Sequence, residues 1–306
     1  MKNKIKQILK YSKTKAKVLL IFIVIFSFSL LAHFRGKGFH ESKILSSLEY
    51  NPQWDISLEE NEKKKILKIL SQDFFYLNRG RQCFVFVSAD KKYVIKFFNH
   101  RRFRVPDYFS YIPFFEKTCN KKREIRNNRL QFYFNSYKLA YEKLKEETGL
   151  IFVHLNKTTD LHKKIRIKDP CSGIHEMDLD AVEFVLQKKS EPILSYLQER
   201  MEKEGDIGFE KALDTFLQVI ATRCNKNISD DDLDVAINFG FVEGKAIVFD
   251  SGRFYINENL KQSENFKREM LKSTKFFRRW LNKNYSEMIN YFDQKVELLS
   301  ENAKGE

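Results

Sequence analysis

No two of the four cysteines, Cys83, Cys119, Cys171 and Cys224, stand at the spacing of a zinc site or a redox pair. Neither a bound zinc nor a disulfide framework is therefore expected. Their even number would permit two bridges in an oxidising compartment, but a large domain does not need them, and the thiols are read as free. His154, His162 and His175 are isolated, so no ligand set built on histidine is expected. Also missing are a stacked-aromatic RNA-binding signature and a Cys/His finger, and nucleic acid is not expected as a partner despite the formal charge of +14. Seven of those charges are Lys2, Lys4, Lys6, Lys10, Lys13, Lys15 and Lys17, ahead of the first apolar run; the rest are scattered among acids. What is present is core material. With 306 residues, 42% hydrophobic and 14% aromatic, the chain can build one large or two small folded units.

The run from Val18 to Ala32 is apolar apart from Ser27 and Ser29. It predicts a basic segment over 1–17, a transmembrane helix over 18–34 and a linker over 35–56. A cleaved secretory signal is the alternative, but cleavage after Ala32 would put the large Leu30 where a small residue is expected. The lysines before the run outnumber Arg35, Lys37 and Lys43 just after it, so a single-pass membrane protein with an extracytoplasmic C-terminal domain is predicted.

Beyond the linker, Ser57-Leu58-Glu59-Glu60 reads as a capping box opening a helix with Ile66, Leu67 and Leu70 inward. Three strands follow, over 74–77, 83–87 and 93–98, joined by turn-like Asn78–Gln82 and Ala89–Lys92. A long helix over about 117–147 carries the stripe Leu130, Phe134, Tyr137, Tyr141 and Leu144. Strands are expected over 149–155, 164–168 and 181–187, then a helix from Pro192 capped by Ser190, and another with Phe209, Leu213, Phe216, Leu217 and Ile220. Two amphipathic helices close the chain, one with Phe266, Met270, Phe277 and Leu281, the other with Ile289, Phe292, Val296 and Leu299.

The chemistry-bearing stretch is Ile228 to Phe254. Asp230, Asp231, Asp232 and Asp234 precede Asn238, a hairpin signal stands at Glu243-Gly244, and an apolar strand delivers Asp250 into Ser251-Gly252. Read alone, this is also what an acidic surface loop and an ordinary turn look like. Upstream, Lys96 is flanked by Val94, Ile95, Phe97 and Phe98, and a lysine buried on such a strand calls for an anionic partner.

In order and spacing these residues resemble the protein-kinase-like superfamily, in which an acidic catalytic loop ends in Asn and an Asp-led turn follows one hairpin later. Asp250 stands twelve positions after Asn238, and Val94-Ile95-Lys96 follows the lone Gly80 of the first strand turn by sixteen. The resemblance covers roughly 57–300 and implies an α+β, two-lobed protein-kinase-like fold. Its N-lobe, 57–189, would hold a small antiparallel sheet, and its C-lobe, 190–306, would be helical and reduced. It further implies ATP and Mg²⁺ as cofactors, with Gly80, Lys96 and the hinge residue Gln187 binding nucleotide and Asn238 and Asp250 holding the metal. A catalytic acid is implied five positions before Asn238, where this chain has Leu233; Asp232 and Asp234 are the candidates. The His-Arg pair in front of that acid and the Ala-Pro-Glu segment are absent, and Glu124 and Glu142 are the two candidates to pair with Lys96. Expected, then, is a membrane-anchored, atypical kinase acting on an unidentified protein or small-molecule acceptor. The alternatives are a pseudokinase scaffold on the same fold, or an unrelated α+β domain.

Overall fold

The structure is a computed structural model that describes residues 20–24, 26–27, 38–104, 113–171, 173–232 and 234–301. The chain divides into Met1–Glu41 and Ser42–Glu306. In the first unit, residues 20–24 and 26–27 are helical and exposed. The other positions of the predicted membrane segment and the basic segment lie outside the described residues. Among the described residues no helix is long and apolar enough to cross a membrane. The expected transmembrane helix, and with it the single-pass membrane placement, is therefore corrected: a crossing needs about 20 consecutive apolar residues.

In Ser42–Glu306, α1 (Glu60–Ile69) leads into β1 (Phe74–Arg79), β2 (Cys83–Ser88) and β3 (Tyr93–Phe98). The helix starts without the expected capping box, because Glu59 makes no side-chain cap bond. After α2 (Pro113–Lys143) and the short α3 (Lys145–Thr148) come β4 (Leu150–His154), β5 (Lys164–Lys168), β6 (Ile174–Asp178) and β7 (Phe184–Lys188). These strands form one sheet in the order β4-β7-β3-β2-β1-β5-β6. The small antiparallel sheet expected from the resemblance is thus corrected to seven strands, with β1 and β5 paired in parallel. β3 lies between β2 and β7, and all its residues but Tyr93 are buried, which suits its β-branched and aromatic side chains. β5 alternates, with Ile165 and Ile167 inward between exposed Lys164, Arg166 and Lys168. β6 was not foreseen: of its five residues only Met177 is buried, so no alternation announces it.

The remainder is mainly helical. β8 (Glu191–Pro192) is a two-residue strand, and α4 (Ile193–Asn225) starts without a cap from Ser190 and kinks at Gly205. β9 (Ile228–Asp230), the single turn α5 (Val235–Asn238), β10 (Phe239–Val242), β11 (Lys245–Val248) and β12 (Phe254–Ile256) follow, then α6 (Ser263–Asn284) and α7 (Ile289–Glu301). The stripe predicted for one helix is buried at all five positions, four in α2 and Leu144 at the break before α3, and joins one continuous core with Phe209, Phe216, Phe266, Phe277 and Phe292. Trp54, from the stretch read as linker, is buried edge-on against Phe134 of α2 at 4.9 Å.

Candidate functional site

The β10–β11 hairpin brings the site together. Its two-residue turn is Glu243-Gly244, both at positive φ (51° and 81°), the combination of a turn whose twist matches the strands it joins. The register pairs Phe239 with Val248 and Val242 with Lys245. One step past the open end, Asn238 must therefore face Phe249 and Asp250, and the Asn238 carbonyl accepts from Phe249 N at 2.8 Å and Asp250 N at 3.5 Å. The twelve-residue separation read from the sequence is this hairpin's length.

Lys96 meets the same point from the sheet. It is 7% exposed, its Nζ donates to the Phe249 carbonyl oxygen, and the amine lies 5.9 Å from the Phe249 ring centroid. Burial holds its pKa below the ordinary lysine value, opposed by the Asp250 carboxylate. Cys83 is pushed up to about 12 by burial, so its thiol stays protonated and neutral. Among the described residues neither Glu124 nor Glu142 pairs with Lys96. Glu124 is exposed, and Glu142 bridges to Lys138 at 3.1 Å one helical turn away.

Polar groups short of a partner surround this junction. Asn238 is 1% exposed and its Nδ2 has no hydrogen-bond partner among the described residues; the same holds for Ser251 Oγ and Gln82 Oε1. Asp250 Oδ1 accepts from Gly252 N at 3.3 Å. A Cβ at Gly252 would stand 2.4 Å from Gln82 Oε1, so the turn lies directly against the β1–β2 loop. Sequence reasoning missed Ser136 of α2, which clamps this turn: its Oγ donates to Ser251 O at 2.5 Å and accepts from Phe254 N at 2.6 Å. A small polar residue inside the apolar stripe was the available signal.

The acidic loop adjoins the turn because β9 pairs with β12, Asp230 opposite Phe254. Asp230 is buried, with Arg223 Nη1 at 3.5 Å, and Arg223 Nη2 also reaches Glu269 at 3.4 Å and Ser273 Oγ at 2.7 Å. Burial raises the Asp230 pKa to about 6; Arg223 opposes the rise and the Asp232 and Asp250 carboxylates add to it. The two candidate bases differ. Asp232 is half-buried, its Oδ2 3.6 Å from Arg253 Nε and its backbone N–H on Asp230 Oδ1 at 2.8 Å, whereas Asp234 is exposed.

The other two predicted nucleotide-binding residues are less tied to this point. Gly80 is exposed in the β1–β2 turn, its N–H on Cys83 O at 3.0 Å, and a Cβ there would approach nothing closer than 3.9 Å. Gln187 is on the sheet face of Lys96, since Val185 pairs with Lys96 and Gln187 with Val94. Its Nε2 donates to Thr148 O at 2.6 Å and its Oε1 has no partner among the described residues. Sequence reasoning also missed a cavity of about 710 Å³ beside the turn, lined by Arg81, Arg101, Arg102, Arg126, Arg129 and Arg253 together with Gln82 and Asp231. The cations that had looked scattered along the chain are gathered by the fold.

No protein-family model and no curated protein matches this chain. Among solved structures it is similar to the bifunctional kinase-methyltransferase WbdD. A medium-resolution WbdD structure is 13% identical, with 73% of this chain and 42% of that chain covered and a TM-score of 0.35. A high-resolution crystal structure of WbdD is 14% identical, with coverage of 74% and 45% and a TM-score of 0.38. WbdD in co-crystal with the kinase inhibitor LY294002 is 13% identical, with coverage of 74% and 45% and a TM-score of 0.34. The match spans less than half the length of each of those chains. Scores this low give no residue correspondence, and the reading of the site rests on its own geometry.

Proposed function

We propose that this chain binds a nucleoside triphosphate with Mg²⁺ between Lys96 and the open end of the β10–β11 hairpin, and transfers the terminal phosphoryl group to a hydroxyl acceptor. The observation that carries the reading is the Lys96 amine, buried beside Asp250 and hydrogen-bonded to the neutral Phe249 carbonyl. A desolvated ammonium gains most from an anion brought to it, and phosphate oxygens are the strongest such acceptors.

The metal fits the residues present. Asn238 brings a buried side-chain amide with an unsatisfied nitrogen, and Asp250 a carboxylate on the facing backbone. Oxygen and nitrogen of such an amide are assigned by hydrogen bonding, so the group can turn its oxygen to a cation. One or two protein oxygens plus phosphates are the usual set for Mg²⁺. When bound there, the ion would neutralise charge on the phosphates. Lys96 would orient the phosphates from the sheet side. Asp232, fixed by Arg253 next to the turn, would take the proton of the acceptor hydroxyl as its oxygen bonds to the terminal phosphorus, the bond to the bridging oxygen breaks and the diphosphate leaves.

A second reading, nucleotide binding without transfer, is favoured by one observation: the Arg253 guanidinium already neutralises Asp232 at 3.6 Å. Heat denaturation of the full chain with Mg²⁺-ATP tests both. A rise in Tm abolished by Lys96→Ala and by Asp250→Ala supports the site, and no rise in the parent removes it. Transfer of labelled phosphate that disappears in Asp232→Ala selects the enzyme, and binding without transfer selects the second reading.

A further inference from the structure

Of the residues lining the arginine cavity, the steps above use Arg253 alone, to fix Asp232: Lys96, Asn238 and Asp250 are not among them. The cavity nevertheless adjoins those three, because Arg253 follows the Asp250–Gly252 turn directly and Gln82, which lines the cavity, packs against Gly252. We infer that it holds a compact polyol bearing several phosphate groups, with a free hydroxyl toward the Asp250 turn. Resting on the phosphotransfer reading, this names the class of acceptor.

The charge balance is the first argument. Arg81, Arg101, Arg102 and Arg129 make no ion pair among the described residues, Arg126 donates only to the Arg104 carbonyl, and Arg253 shares the half-buried Asp232. Against these six cations the lining holds one carboxylate, Asp231, which is exposed. So many guanidinium groups around one cavity focus a positive potential that draws anions in, and their planar forks match phosphate oxygens bidentately. Shape is the second argument. The arginines come from the β1–β2 turn, the segment after β3, the α2 helix and the turn before β12, and they converge on about 710 Å³ instead of running along a groove. That suits a small ligand charged on several sides, and Phe132 and Tyr133 in the lining offer a face for its ring. A single strand of nucleic acid would instead need an extended basic track with stacking platforms.

The test uses the full chain and an inositol pentakisphosphate, which keeps one free hydroxyl, as probe, with titration calorimetry read alongside the Mg²⁺-ATP melting shift. The expected result is salt-sensitive binding, weakened about 100-fold or more in the doubly reversed Arg101→Glu/Arg102→Glu protein, since removing each charge-assisted hydrogen bond weakens binding about tenfold or more. Arg129→Glu, on a different element, provides a second variant should the first fail to fold. Lys211→Glu, exposed on α4 and outside the lining, should bind as the parent does. Absence of probe binding with an intact ATP response overturns this inference alone. Probe binding without an ATP response supports the cavity as a polyphosphate site and removes the proposed function. Competition by ATP without Mg²⁺ overturns the inference by making the cavity the nucleotide's own site, and tighter binding of a single-stranded oligonucleotide overturns it in favour of nucleic acid. Vesicles of phosphatidylcholine with and without a phosphoinositide distinguish a headgroup from a free polyol, both of which carry the inferred chemistry.

Discussion

The two sides of the Asp250 turn are built in opposite ways. On the inner side, Lys96, Asn238, Ser251 and Ser136 are buried, and the Asn238 and Ser251 side chains each hold a polar atom without a partner. On the outer side, the cavity arginines carry charge almost without acids. Buried groups that are short of a partner hold a fixed geometry at a cost in stability, whereas exposed cations cost the fold little and draw anions from a distance. Under the function proposed above, the inner side would fix one ligand in place and the outer side would attract another. Substitutions should therefore separate the two by ligand: loss of nucleotide binding inside, loss of anion binding outside.

The largest effect is expected from Arg223, whose guanidinium serves Asp230, Glu269 and Ser273 beneath the acidic loop. Arg223→Ala leaves Asp230 buried without its paired guanidinium and Glu269 with Lys272 at 3.4 Å in its place, and should cost about 3–5 kcal/mol in urea unfolding. A loss below about 1 kcal/mol would mean that the triad does not hold the loop.

Next is a pH dependence of defined sign. Asp230 has a folded pKa of about 6 against an ordinary 3.8, so the unfolded chain releases this proton first. The group's contribution to stability is full below the unfolded value and is lost as pH rises through the interval up to the folded one, by about 3 kcal/mol in all. The charges facing it are Arg223 and Lys272, with Glu269, Asp232 and Asp250 as acids. The stability of the parent minus that of Asp230→Asn should fall between pH 3.8 and about pH 6 and then level. A difference that rises with pH would show that Arg223 outweighs burial.

Smaller still is Lys96→Met. Replacing a buried ammonium by an apolar side chain of similar length should be neutral or stabilising by about 1–2 kcal/mol, while removing the response to Mg²⁺-ATP. A destabilised variant would identify Lys96 as a structural strut. Asn238→Ala should cost under about 1 kcal/mol, because its Nδ2 forms no bond among the described residues, and should still abolish Mg²⁺-dependent binding. The smallest change is expected for Arg101→Glu, exposed on the outer side, within about 0.5 kcal/mol of the parent.

Much of the inner side was legible in the sequence because it is local. Glu243-Gly244 between two apolar runs specifies the hairpin, and the hairpin alone brings Asn238 to Asp250. Lys96 could be singled out because a charge in an apolar strand is anomalous. Other features depend on segments far apart in the chain. Ser136 reaches Ser251, Arg223 reaches Ser273 and Glu269 reaches the Asp230 backbone across 39 positions of chain or more, and a local pattern does not say which distant segment each will meet. The cavity arginines come from four separate stretches, which is why their charge looked dispersed. The parallel pairing of β1 with β5 joins only Phe74 and Phe75 to Ile167 and Lys168, too short a pairing to leave a pattern. The predicted caps at Ser57 and Ser190 failed for a related reason: the helices begin later, after extended Glu59 and after the β8 pairing with β10.

The most direct measurement is equilibrium binding of ATP to the full chain by titration calorimetry, with and without Mg²⁺, for the parent, Asn238→Ala and Asp250→Ala. Saturable binding that requires the metal in the parent, and vanishes in both variants while their folds persist, is the predicted result. Binding that survives Asp250→Ala undiminished, or a parent that takes up no nucleotide, would contradict the claim that Lys96, Asn238 and Asp250 form one site.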